Sequence, residues 1–67
     1  MHISYEKLWH ILLNRHLTRE MLRKQCGISS NTIAKLGKGQ NVTTDVLLKI
    51  CKTLGCSLED IAEIVDN

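Results

Sequence analysis

The chain has 67 residues, of which 43% are hydrophobic and 24% are charged. This length suits one small domain, and with no Phe, one Trp and one Tyr its core must consist mainly of Leu, Ile and Val. It contains no Pro and only four Gly, which favours helices over a turn-rich β architecture. No apolar run exceeds three residues, and the first residues lack the basic-then-apolar order of a secretory signal. We therefore expect a cytoplasmic protein without a membrane span.

The net charge of +2 is unevenly distributed along the chain. Residues 15–38 carry six cationic side chains and one carboxylate, whereas residues 39–67 carry two cationic and five acidic ones. A basic middle segment favours a polyanionic partner, although ordinary solvated helix faces would give the same pattern. The three cysteines (Cys26, Cys51 and Cys56) are an odd number, which indicates reduced thiols rather than a disulfide framework.

Five patches with helical periodicity follow one another, and turn-forming residues separate them. The first covers about residues 4–15, with Ser4 as a candidate N-cap. It carries a core-facing apolar stripe (Leu8, Ile11, Leu12) and a second stripe beside it (Tyr5, Trp9, Leu13). The second patch is short, with Thr18 as its N-cap and Gly27 as the residue that ends it at positive φ.

The third patch covers about residues 29–37 and begins at the N-cap Ser29. Ile33 and Leu36 are predicted to point inward, with Ala34 nearby. The fourth patch follows Asn41-Val42, with Thr43 as its N-cap and Gly55 at its end.

The fifth patch begins at Ser57, and Asp60 three residues later completes a variant of the capping box. Its predicted apolar face consists of Leu58, Ile61, Ile64 and Val65.

The second and third patches form a helix-turn-helix pattern. A short turn, Cys26-Gly27-Ile28, joins them, and turns of this kind set two helices at a large angle. In that unit the first helix crosses the DNA backbone while the second lies in the major groove.

The polar side chains of the third helix suit base recognition. Ser30, Asn31, Thr32 and Lys35 are left to face outward when Ile33 and Leu36 face the core. Asn can bond adenine at two atoms, Lys can reach guanine, and Ser and Thr fit several base edges. The alternative is that residues 29–32 serve only to cap the helix.

Polar residues on both flanks extend the predicted interface. Arg19 opens the first helix of the unit, where a cation can hold a phosphate, and a polar loop follows the second helix. Gly37 and Gly39 allow that loop to approach another chain closely. The predicted DNA-binding residues are Arg19, Ser29, Ser30, Asn31, Thr32, Lys35, Lys38, Gln40 and Asn41.

Five segments carry a resemblance to a known family: LTREML (17–22), CGIS (26–29), NTIAKL (31–36), VLLKIC (46–51) and SLEDI (57–61). They resemble the Cro and phage-repressor type of helix-turn-helix proteins, often called the XRE family, over about residues 8–64. The resemblance implies an all-α, compact five-helix bundle of the lambda-repressor-like kind that binds double-stranded DNA.

The resemblance also implies roles for single positions. It places Arg19 near a phosphate or a base edge and Ser30, Asn31 and Lys35 against bases. It places the loop around Gln40 and Asn41 on backbone phosphates. One position departs from the family, since many members carry Ala where this chain has Arg23. That side chain must reach out to a phosphate or to Glu20. The extra domain of many relatives is not expected within these 67 residues.

Two other functional classes fit parts of the sequence. Three His and three Cys are residue types that could serve an enzyme or a zinc protein. However, no C-x-x-C or H-x-x-x-H spacing occurs, so no catalytic residue, cofactor or metal site is predicted. A protein-interaction module without base readout is the second class. The Tyr5, Trp9 and Leu13 stripe would be its surface unless that stripe packs under the fifth helix.

We therefore expect residues 1–67 to form one DNA-binding domain of a transcriptional repressor. Because a single unit buries little DNA surface, a homodimer on a palindromic operator is expected. Either the first-helix stripe or the tail after Ile64 would form its interface.

Overall fold

A computed structural model describes residues 1–66, and Asn67, which ends the predicted domain, lies outside them. Within the described residues the chain forms five helices and one two-stranded antiparallel sheet. In chain order the elements are β1 (His2–Ser4), α1 (Glu6–Asn14), α2 (Arg19–Cys26), α3 (Ser30–Gly37), α4 (Thr44–Leu54), α5 (Leu58–Ile61) and β2 (Glu63–Val65). The predicted five-helix fold is confirmed, and the small sheet is an addition to it.

Local turn chemistry sets most helix boundaries where the sequence predicts them. The hydroxyls of Thr18, Ser29 and Thr43 each accept a hydrogen bond from the backbone N–H three residues later, at 3.1, 3.1 and 3.4 Å. Gly27 and Gly55 end α2 and α4 in the left-handed conformation, with φ of 72° and 67°. In the helix-turn-helix pair, α2 and α3 thus each begin at a hydroxyl N-cap, and the left-handed Gly27 lies between the two helices.

The first helix begins later than predicted. Ser4 lies in β1, and Tyr5 rather than Ser4 is the N-cap residue of α1. The Ser4 hydroxyl nevertheless accepts a hydrogen bond from the Glu6 N–H at 3.3 Å, so it satisfies a free donor of the first turn from outside the helix.

The main difference from the prediction lies after Ile61. The fifth helix has only four residues, and the chain then turns to extended backbone at Ala62 (φ −145°, ψ 153°). Residues 63–65 form β2, which pairs with β1 so that Ile3 lies opposite Ile64. Ile64 and Val65 are β-branched and suit a strand, and Ile64 is 70% exposed instead of lying on an apolar helix face.

One aliphatic core with a single aromatic member joins the helices. Its buried side chains are Tyr5, Leu8, Leu12, Leu22, Ile28, Leu36, Leu47, Ile50, Leu54 and Ile61. The predicted second stripe of the first helix is divided, because Tyr5 is buried, Trp9 is half-buried and Leu13 is 75% exposed.

Candidate nucleic-acid interface

The outer side of α3 presents the polar side chains that the sequence predicts there. Ser30, Asn31 and Lys35 are exposed, while Leu36 is 1% exposed and anchors the helix in the core. Ile33 is half-buried as expected, but Ala34 is exposed and does not point inward. The first turn holds no acidic residue, so nothing on this helix repels a polyanion.

The hydroxyls of Ser29 and Thr32 are engaged in the helix cap. Ser29 Oγ accepts from the Thr32 N–H at 3.1 Å and lies 2.9 Å from Thr32 Oγ1. The structure therefore gives these two predicted site residues a capping role. By contrast, no side-chain hydrogen bond within residues 1–66 involves Ser30 or Asn31, whose polar groups face solvent.

The loop after α3 folds back on the helix. The Gln40 N–H donates to the Lys35 carbonyl at 2.9 Å, and Gly39 adopts a φ of 70° that permits the reversal. Thr32, Lys35 and Asn41 then border one groove of about 370 Å³ beside the start of α4. Three predicted site residues, two on α3 and one in the loop that follows it, are brought together there.

Arg19 occupies a second cleft, at the C-terminal end of α3. Its guanidinium carbon lies 4.0 Å from the centroid of the Trp9 ring, and its Nη1 lies against Gly37. This cleft has a volume of about 400 Å³, and Lys38 borders it as well. Arg19 and Lys38, which the sequence places on opposite flanks, therefore share one cleft.

Comparisons with known proteins identify the family and support the fold. The family model of the Cro/C1-type helix-turn-helix DNA-binding domain matches residues 7–67. The chain belongs to this family. It is also similar to the crystal structure of the transcriptional regulator VanUg (form II), with 44% identity over 98% of this chain and 88% of that chain and a TM-score of 0.94. No curated protein matches the chain. The predicted family is thus confirmed, and DNA is the partner that a domain of this family binds.

The Cro/C1-type domain accommodates Arg23 by pairing it within α2. The Arg23 Nε donates to Glu20 Oε1 at 2.9 Å, and its Nη1 lies 3.5 Å from the Ile28 carbonyl of the turn. Of the two partners expected for Arg23, the structure shows Glu20. The hydrogen bond from Arg23 lowers the pKa of Glu20, so the one carboxylate of the basic segment is neutralised locally.

The other cationic side chains of the basic segment differ in whether the protein itself binds them. Arg15 Nη1 donates to the Leu54 carbonyl at 2.8 Å and so ties α1 to the end of α4. Among the described residues, no ion pair involves Arg19, Lys35 or Lys38. The cations that border α3 are therefore available to an external anion.

Separate observations concern the cysteines, possible metal ligands and possible membrane spans. The three cysteines are half-buried free thiols, and burial together with the neighbouring Cys56 raises the pKa of Cys51. Across residues 1–66 no group of His, Cys, Asp and Glu is arranged to hold a metal ion. In the same residues no helix is long and apolar enough to cross a membrane.

Proposed function

We propose that this protein is a sequence-specific transcriptional repressor that reads the major groove of duplex DNA with α3. The proposal rests on the exposure of Ser30, Asn31 and Lys35 on a helix whose opposite side is fixed in the core by Leu36. An α-helix fits the major groove, where amide, hydroxyl and ammonium groups match distinct base edges. The similarity to VanUg, a transcriptional regulator, supports the regulatory role.

The remaining predicted residues are proposed to set the register on the backbone. Arg19, Lys38, Gln40 and Asn41 are exposed at the borders of α3 and can each hold a phosphate. Ser29 and Thr32 complete the interface by fixing the first turn, which determines where Ser30 and Asn31 point.

A selection from a random duplex library tests base readout. The wild type should enrich one motif, and Lys35→Glu should abolish the enrichment because it places a carboxylate against the DNA. Lys52→Glu is the matched control, since this exposed residue of α4 undergoes the same change of charge outside the proposed interface. Equal loss in both variants, or no enriched motif for the wild type, would contradict base readout by α3.

Salt dependence tests the phosphate contacts separately. Each neutralised phosphate contributes about −0.9 to the slope of log K against log salt concentration. The slope for the selected duplex should therefore be steep, and a flat response would exclude the basic contacts.

We further propose that two copies bind a palindromic operator, with half-sites about one helical turn apart. Of the two interfaces expected from the sequence, the tail after Ile64 is favoured, together with the apolar residues beside it. Ile3, Leu58 and Ile64 are exposed around an apolar groove of about 500 Å³, whereas only Leu13 of the first-helix stripe is exposed.

Sedimentation of the free protein and of its operator complex tests the dimer. Ile64→Lys should shift the protein to a monomer, while the control Leu13→Lys should leave the dimer intact. The reverse result would assign the first helix as the interface, and a wild-type monomer that binds one site would overturn the homodimer. Dimerisation without any enriched DNA motif would instead support the protein-interaction module.

Repression is proposed to follow from occupancy of the promoter, which excludes polymerase. In an in vitro transcription assay on a template that carries the selected motif, added protein should lower the transcript yield. An increase in yield would show activation and overturn the repressor assignment.

A further inference from the structure

We propose that Trp9 and Gly37 are positioning residues that hold the Arg19 guanidinium ready for a DNA phosphate. This inference rests on the proposed DNA interface and adds to it two residues that need make no DNA contact themselves. Three elements supply the arrangement: Trp9 lies on α1, Arg19 begins α2, and Gly37 ends α3.

The indole of Trp9 provides a flat support for the guanidinium. The separation of 4.0 Å between the Arg19 guanidinium carbon and the ring centroid is well within the range of a cation–π contact. Trp9 is half-buried and lies on α1 next to Leu8, which is fully buried, so the ring is held by the core. Stacking orients the guanidinium plane without neutralising its charge, and the N–H donors at its edge stay available.

Gly37 provides the space that the guanidinium occupies. A Cβ at this position would lie 2.6 Å from Arg19 Nη1, closer than such contacts occur. The backbone itself does not require glycine there, because the positive-φ glycines among the described residues are Gly27, Gly39 and Gly55. An added methyl group at this position would therefore require the Arg19 guanidinium to move.

The charge of the surrounding cleft suits a phosphate. Arg19 and Lys38 both border it, against the single carboxylate of Glu6. Neither cation forms an ion pair within the described part of the chain. A backbone phosphate that enters beside the end of α3 would meet two positive charges, one of them already oriented.

A double-mutant cycle on the selected duplex tests the proposal. Gly37→Ala should melt at the same temperature as the wild type or higher, yet bind DNA roughly five- to tenfold more weakly, as expected for one charge-assisted contact. Its salt slope should fall by about 0.9, the value for one phosphate contact. In an Arg19→Ala background, Gly37→Ala should cause no further loss of affinity, because both changes act through the same side chain.

Two further variants separate positioning from structure. Trp9→Leu should weaken DNA binding as Gly37→Ala does, and Trp9→Phe should restore part of the affinity because it keeps an aromatic face. Lys24→Ala, which removes an exposed cation of α2 outside the cleft, is the control for loss of charge. Because Trp9 is the only tryptophan, its emission also reports directly whether Gly37→Ala moves the guanidinium away from the ring.

The outcomes distinguish this inference from the proposed function. If the wild type binds the duplex and Gly37→Ala binds equally well, the positioning role is wrong while the DNA interface stands. If the loss caused by Gly37→Ala persists in the Arg19→Ala background, Gly37 faces DNA itself and the inference is overturned. If the wild type binds no duplex, the proposed function fails first.

Discussion

Replacement of Gly27 by Ala tests the turn that joins the two helices of the DNA-binding unit. Gly27 has φ 72° and ψ 32°, and its N–H donates to the Arg23 carbonyl at 3.0 Å. Nothing lies within 4 Å of an added Cβ, so the cost of the substitution comes from the backbone conformation alone. A left-handed conformation costs an L-residue about 1–2 kcal/mol. Ala also lowers the entropy of the unfolded chain, which offsets about 0.4–1 kcal/mol of that cost. The expected net loss is about 1 kcal/mol in the free energy of unfolding.

Thermal unfolding followed by circular dichroism measures this loss. For a domain of this size 1 kcal/mol corresponds to a fall of about 4–8 °C in melting temperature. Gly27→Asn should lose less, because Asn tolerates the left-handed region. Gly37→Ala is the opposite control, since that glycine does not have a positive φ. If Gly27→Ala melts at or above the wild-type temperature, residue 27 is not left-handed and the described turn is wrong.

Three further predictions concern the cap, the core and base readout. Hydrogen bonds from the Ser57 N–H and hydroxyl lower the pKa of the Asp60 carboxyl group. The stability that this carboxylate contributes is therefore present at neutral pH, and it is lost as the pH falls below the ordinary pKa of 3.8. Wild type and Asp60→Asn should therefore differ in melting temperature at pH 7 and converge in acid, and a constant difference would argue against this cap. Leu22→Ala should cost about 2–5 kcal/mol in urea unfolding because Leu22 is 0% exposed, whereas Leu13→Ala at a 75% exposed site should change stability by less than about 0.5 kcal/mol. Asn31→Ala should relax base preference by about 1–3 kcal/mol at one operator position in competition binding, while an equal loss on every sequence would indicate a phosphate contact.

The helix boundaries that the sequence predicts well depend on local interactions. Thr18, Ser29 and Thr43 each bond a backbone N–H only three residues away, and Gly27 ends its helix through its own φ. Such signals are contained in a few consecutive residues, so a single sequence is enough to recognise them.

The sheet and the Arg19 stack depend on contacts between distant segments. Ile3 pairs with Ile64 across almost the whole chain, and no turn signal or alternation of short strands marks that pairing. Ile64 also lies three residues after Ile61, which is the spacing of one helix face. The sequence therefore predicts a helix where the structure has a strand paired with β1. In the same way, the sequence indicates a phosphate role for Arg19 but contains no local sign that Trp9 would support it.

The roles of the serine and threonine residues at the start of α3 were ambiguous for a different reason. The same hydroxyl groups that cap a helix can also bond base edges. In the structure Ser29 and Thr32 bond each other and Ser30 and Asn31 are exposed, so the cap is assigned by contacts while base contacts stay a prediction.

The most direct test of groove recognition replaces single purines of the selected operator with 7-deazapurines. This change removes the N7 acceptor from the major groove and leaves the minor groove and the phosphates unaltered. If α3 reads bases with Asn31 and Lys35, one or two substituted positions should lose most of the binding, and the corresponding alanine variant should no longer respond to that substitution. Binding that tolerates every 7-deazapurine but is displaced by a minor-groove ligand would contradict major-groove reading by this helix.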